Sequence, residues 1–167
     1  MNVTKSTQYA LYAAAEMALA AEAPTTVSAV AQRYRIPEGA LAKVFQQLVR
    51  AGLAVGTRGI GGGYRLARPA SKITVLEVIN AFERHRPAGV CGLHDRPGEP
   101  CPAASACSVQ WLFHEVDELV RTTYESVTLK TLVRRRGPSG QPAVVPVALT
   151  MPSAAEKMLR SKPAGRR

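Results

Sequence analysis

The stretch Arg58-Gly59-Ile60-Gly61-Gly62-Gly63 limits what this chain can fold into more than any other segment. Glycines at 59, 61, 62 and 63 disfavour a helix or a long strand there, because each gives up more conformational freedom than a regular element returns. They suit a compact turn whose backbone needs positive φ. Short runs on either side, Leu53–Thr57 and Gly63–Ala67, read as two strands, so the segment predicts a small hairpin. Arg58, Arg65 and Arg68 place positive charge on or beside it. A phosphate-cradling loop would end in Gly-Lys-Ser/Thr and open directly into a helix. This one does neither, which argues against a nucleotide site.

The residues upstream explain what the hairpin belongs to. Thr4 and Ser6 are N-cap residues for a first helix over 6–21, whose Tyr9, Leu11, Ala13, Met17 and Ala20 spread over a wide apolar face. Pro24 ends it. A short helix over 27–34 turns Val27, Val30 and Ala31 inward, and Arg35-Ile36-Pro37 makes a tight turn. A third helix over 38–51 carries the stripe Leu41, Val44, Phe45 and Leu48, with Gly52 at its C-cap and Leu53 returning to the core. Two short helices joined this way predict a helix-turn-helix, and the hairpin behind it is a wing.

Downstream, Pro69–Lys72 reads as a turn and Thr74–Arg84 as a helix with Val75, Val78, Ile79 and Phe82 inward. Residues 86–107 are rich in glycine and proline and read as a loop. A long helix follows over 108–125. Leu112, Val116, Leu119, Val120, Thr123 and Val127 recur at helical spacing with acidic residues between them, a stripe too long for one small domain to cover. It predicts an inter-subunit helix pair, closed by a turn over 128–133. The expected fold is therefore mainly α, a winged helix-turn-helix with a two-stranded wing, a cysteine-bearing loop and a long dimerisation helix. The expected organisation is a DNA-binding domain over 1–84, a cysteine loop over 85–107, the dimerisation helix and closing turn over 108–133, and a basic disordered tail over 134–167.

Charge narrows the partner. Lys and Arg number 22 against 12 Asp and Glu, for a net charge of +10. Residues 1–90 carry 11 basic and 5 acidic side chains, residues 91–130 carry 3 and 6, and residues 131–167 carry 8 and 1. A polyanion facing the first ninety residues follows, nucleic acid before an anionic membrane. No apolar run reaches the roughly 18 residues of a membrane span, and no export signal opens the chain, so a cytoplasmic protein is expected.

The three cysteines are an odd number without an export signal, which argues against a disulfide scaffold. Cys91, Cys101 and Cys107 lie on flexible backbone where thiolates can converge on a soft metal centre. Four readings are open on residue chemistry alone: an iron–sulfur cluster, zinc held with His94 of Cys91-Gly92-Leu93-His94, a metal-free thiol switch, and inert cysteines.

These residues resemble a bacterial family of winged-helix iron–sulfur transcriptional regulators, that of IscR, NsrR and RirA. The match covers residues 3–133: Val3-Thr4-Lys5 with Tyr9-Ala10-Leu11, Leu48-Val49-Arg50-Ala51-Gly52-Leu53, the wing from Arg58 to Leu66, Ile73-Thr74-Val75, Glu77-Val78-Ile79, Cys101-Pro102, Cys107, and Thr128-Leu129 ahead of Leu132-Val133. The resemblance implies a homodimer paired through the long helix, with a cluster on Cys91, Cys101 and Cys107 controlling DNA binding. Two departures bear on the fourth ligand. IscR-like members carry a histidine where this chain has Gln110, and some nitric-oxide sensors use a first-helix carboxylate where it has Gln8. His94 stands as the local candidate, and Cys-Pro-x4-Cys favours [4Fe–4S] over [2Fe–2S].

The function expected is an iron–sulfur-dependent transcriptional regulator, acting as a repressor and sensing iron, redox state or nitric oxide. The alternatives are a zinc-stabilised winged-helix regulator or interaction module, and a cluster-bearing electron carrier. An enzyme is not expected, since no acid/base pair or nucleophile constellation stands out. In the third helix Gly39, Ala40, Lys43, Gln46, Gln47 and Arg50 are expected to face double-stranded DNA, with Lys43 and Gln47 reaching base edges. Thr4, Lys5 and Ser28 are expected at phosphates, Arg58 in the minor groove, and Arg65 beside it.

Overall fold

The computed structural model describes residues 3–21, 23–59, 61–83 and 107–134. The fold order is α1 (Lys5–Ala20), α2 (Val27–Tyr34), α3 (Glu38–Arg50), β1 (Ala54–Thr57), β2 (Gly63–Leu66), a 3₁₀ turn (Ala70–Lys72), α4 (Val75–Asn80), α5 (Ser108–Ser126) and α6 (Leu129–Arg134). The mainly helical winged helix-turn-helix expected from the pattern is the observed fold. The tail beyond Arg134 lies outside the described residues.

Helix α1 is the spine. Its Ala10, Ala13, Ala14 and Met17 are buried, and small side chains on that face let α3 and α4 pack closely. The N-cap is Thr4, not Ser6: its extended backbone lets the hydroxyl accept from Thr7 N–H at 3.3 Å. Leu41, Val44, Phe45 and Leu48 of α3 are all buried, as the stripe required, and Leu53 follows them inward. The turn between α2 and α3 is made by Arg35 in the left-handed region, which lets Ile36 N–H bond to the Ala31 carbonyl at 3.0 Å.

Strands β1 and β2 pair antiparallel in the register Val55↔Arg65 and Gly56↔Tyr64. At the tip Gly59 sits at φ 107°, and a Cβ on Gly62 would collide with the Thr57 carbonyl, so both positions need glycine. Thr25 adds a single bridge to Tyr64, with both N–H···O bonds at 2.8 Å, tying the wing to the α1–α2 connection. The Tyr64 ring also lies 4.6 Å from the Phe45 ring, which fixes the wing to α3.

Helix α4 is shorter than the expected 74–84. A Thr74–Glu77 capping box starts it, and a turn over Ala81–Glu83 ends it. Glu77 also pairs with Arg68, so that arginine is committed to the fold and does not stand free beside the wing. Backbone bonds Val75 N–H to Val127 (2.8 Å) and Leu129 N–H to Ile73 (2.9 Å) anchor the α5–α6 junction, and Leu129 is fully buried. No residue of α5 itself is buried.

Candidate nucleic-acid interface and cysteine site

Burial of the α3 stripe turns Glu38, Gly39, Ala40, Lys43, Gln46 and Arg50 to solvent. The wing stands beside the C-terminal half of that face. Together they enclose a cleft of about 500 Å³ lined by Gln46, Val49, Arg50, Thr57, Arg58 and Tyr64, among others. Two cations, Arg50 and Arg58, thus flank one concave surface, and Lys43 lies one helical turn before Gln47 on the same helix. Gly39 and Ala40 carry no side chain that would hold a groove floor away.

Two residues expected at DNA, Gln47 and Thr4, are engaged within the protein, and two more, Ser28 and Arg65, are half-buried. Gln47 is half-buried, and its Nε2 donates to the Ala81 carbonyl at 3.1 Å, so it holds the end of α4 rather than facing a base. Its position at the edge of the apolar stripe allowed either orientation, and the unfilled carbonyl at the end of α4 decides it. Thr4 is likewise occupied: its N–H donates to Glu83 Oε1 at 2.8 Å, and Glu83 also accepts from the Thr7 hydroxyl. A carboxylate therefore already fills the α1 N-terminus where a phosphate was expected. These hydrogen bonds, Thr7's first and Thr4's N–H second, hold the Glu83 carboxyl below the usual carboxylate range against a small opposing effect of burial. Ser28 is half-buried within the first turn of α2, whose cap is Thr26, and its oxygen accepts from Gln32. Arg65 is half-buried, and its Nε has no hydrogen-bond partner among the described residues. Lys5 is exposed.

Of the cysteine site, Cys91, Cys101 and His94 lie outside the described residues. Cys107 is the N-cap of α5, half-buried, with its sulfur accepting from Gln110 N–H at 3.4 Å. Cys107 thus places a soft sulfur donor at the head of the 19-residue helix, where the sequence arrives from Cys101, so its side chain fits the ligand type of a soft metal centre. No group of three metal-ligating side chains occurs among the described residues. His114 is exposed farther along α5, seven residues and roughly 10 Å from Cys107.

The face of α5 is strongly apolar and open. Leu112 is 54% exposed, Val116 47% and Leu119 49%, while Val120, Thr123 and Val127 are half-buried near the body of the fold. Val109, Trp111 and Phe113, which the periodicity did not single out, are more exposed still. Thr123 satisfies its hydroxyl on the Leu119 carbonyl at 2.8 Å, leaving no unmet polar group on that stripe.

The model of the family described as Rrf2, iron-dependent transcriptional regulators, matches residues 3–135. The chain belongs to the Rrf2 family. It is 32% identical over 152 residues to a putative HTH-type transcriptional regulator BadM of Rhodopseudomonas palustris, covering 86% of this chain and 94% of that one. It is 30% identical over 158 residues to the HTH-type transcriptional regulator IscR of Xenorhabdus nematophila, with 85% and 94% covered. Among solved structures it is similar to CymR, the global cysteine regulator of B. subtilis, with a TM-score of 0.65, 25% identity and coverage of 80% and 97%. The T. potens IscR structure shares the fold, with a TM-score of 0.69 at 21% identity and coverage of 86% and 93%. This Rrf2 protein is thus a DNA-binding transcriptional regulator and not an enzyme, which sets aside the electron-carrier reading. Among the described residues no helix is long and apolar enough to cross a membrane.

Proposed function

We propose that this Rrf2 regulator works as a homodimer that represses transcription from a two-half-site operator and takes its signal at Cys91, Cys101 and Cys107. The observation that carries the DNA-reading part is the cleft where Arg50 and Gln46 of α3 face Arg58 of the wing. Lys43 and Gln46 present donors to base edges in the major groove, while Arg58 adds charge for the adjacent minor groove. Lys5 and Arg50 contribute phosphate contacts that set register without reading sequence. Pairing through α5 places two such surfaces on one duplex, which an open stripe from Val109 to Leu119 supports.

Cys91, Cys101 and Cys107 hold an iron–sulfur cluster in this reading, with [4Fe–4S] favoured and His94 the local candidate for a fourth ligand. The half-buried Cys107 at the head of α5 supports it. The cluster, when bound, supplies reactivity toward iron status, oxidants or nitric oxide that protein side chains lack. The chain's own part is to present three thiolates and a fold able to respond to them. A zinc-stabilised regulator is the alternative, and colour distinguishes the two. Anaerobic purification should give a brown protein whose iron and sulfide fall away in Cys91→Ala, Cys101→Ala and Cys107→Ala while helicity is kept. A colourless protein containing zinc would replace the cluster reading. A duplex selected from a random pool should bind the wild type in a salt-dependent manner; failure to select any sequence would remove the operator reading.

A further inference from the structure

The turn Ala81–Glu83 touches two helices, α1, which carries the exposed Lys5, and α3, which lines the cleft. At one end the Ala81 carbonyl accepts from Gln47 of α3. At the other, Glu83 closes the first turn of α1 through Thr4 N–H and the Thr7 hydroxyl, and Thr7 is fully buried, so this contact reaches the core. Phe82 between them packs against the same core. Helix α4 already closes on its own backbone, with Ala81 N–H on Glu77 at 3.2 Å and Glu83 N–H on Ile79 at 2.9 Å, so the links to α1 and α3 are additional to what ends the helix. Directly after Glu83 the sequence runs on to Cys91 and Cys101, and it re-enters the described fold at Cys107.

We propose that Gln47 and Glu83 are positioning residues that couple the cysteine-bearing stretch to the DNA-reading surface through this turn, and that neither contacts DNA. A shift of the backbone where it leaves Glu83 acts at once on the α1 N-terminus and, through Ala81 and Gln47, on the C-terminal half of α3. Those two helices pack their apolar residues into one core cluster, so a displacement of one is felt by the other as a change of packing. The coupling exists only insofar as these bonds differ between two states of the cysteines, and that difference is measurable. The inference rests on the proposed function in taking cysteine chemistry as the signal.

The test compares wild type, the double variant Gln47→Met with Glu83→Ala, and the conservative Glu83→Gln, on a duplex selected by the wild-type protein from a random pool. Affinity is measured before and after two treatments: cluster removal, with iron and sulfide counted, and carbamidomethylation of the apo protein's cysteines by iodoacetamide. At least one treatment should change wild-type affinity about fivefold or more, the lower end of ordinary allosteric coupling, and the double variant less than about twofold. Glu83→Gln keeps an acceptor for Thr4 and Thr7 and should retain most of the response. Exchange of the Thr4 amide in wild type should quicken on the same treatment, a readout that needs no variant to fold and no DNA to bind. A double variant that responds as fully as wild type overturns the proposal. So does a wild type in which neither affinity nor Thr4 exchange responds to either treatment. A purified protein without iron or sulfide counts against the cluster alone, because alkylation and exchange still test the turn.

Discussion

Lys43 and Gln47 lie one turn apart on α3, yet Lys43 is exposed while the Gln47 amide is bonded to the Ala81 carbonyl at 3.1 Å. In the proposed function α3 therefore separates reading, at Lys43, from support, at Gln47. Lys43→Ala should reduce discrimination between selected and scrambled DNA, costing about 1–3 kcal/mol at the base pair it reads. Gln47→Met should leave the base preference unchanged, since it removes a bond to protein. Selection of binding sites with each variant checks the split; a changed preference in Gln47→Met would show the glutamine reading DNA.

Arg58 follows β1 at the wing tip and lines the cleft shared with α3. In the proposed function its charge is placed for the narrow, electronegative minor groove of A·T-rich flanks. Arg58→Ala should lower the slope of log affinity against log salt by about 0.9, the value for one phosphate-equivalent contact on duplex DNA. Preference should relax at flanking A·T steps while the base read by Lys43 is kept. A salt titration on duplexes differing only in the flanks measures both effects.

Helix α5 leaves Val116 and Leu119 about half exposed within a continuous apolar face. Val116→Glu with Leu119→Glu should leave each protomer folded, because neither side chain contributes to its buried core. The pair should convert a dimer to monomers by sedimentation and weaken binding to a two-half-site duplex by about 10²-fold or more, as bivalent attachment is lost. A wild-type monomer at micromolar concentration would defeat the paired-helix proposal.

The sequence displayed the helix-turn-helix plainly because Leu41, Val44, Phe45 and Leu48 repeat at 3.6-residue spacing and Gly52 marks their end. The wing was legible from the cluster of glycines at 59, 61, 62 and 63, which disfavours a helix and suits a tight turn between strands. What spacing could not reveal were pairings between distant residues. Glu83 and Thr7 are 76 residues apart, and nothing local in Phe82-Glu83-Arg84 signals a cap for another helix. Arg68 read as positive charge beside the hairpin, and its pairing with Glu77 was not legible because that partner lies on a different element. The bridge between Thr25 and Tyr64 is one residue pair, too short for any strand pattern. Trp111 escaped the apolar stripe because it stands away from it on α5, and only its 62% exposure makes it conspicuous. Of the cysteines, Cys107 was legible as the last loop residue before a helix starting at 108, while its capping bond to Gln110 N–H was not.

The cap formed by Glu83 carries a pH signature. Its carboxyl titrates below its ordinary value because the Thr7 hydroxyl and Thr4 N–H donate to the charged form. A carboxyl with a lowered folded-state value stabilises the fold at pH above its unfolded value, about 4.3, and loses that contribution as pH falls through the folded one. Glu83→Gln keeps an acceptor but no charge. It should therefore be less stable than wild type at pH 7 by roughly 0.3–1 kcal/mol, the usual effect of an anion at an exposed helix N-terminus. The difference should narrow below about pH 4 as wild-type Glu83 becomes neutral, while the other carboxylates titrate alike in both proteins. Thermal unfolding of the two proteins from pH 7 to pH 3 measures that gap. A gap that stays constant across the range would mean that the Glu83 charge contributes nothing to holding α1.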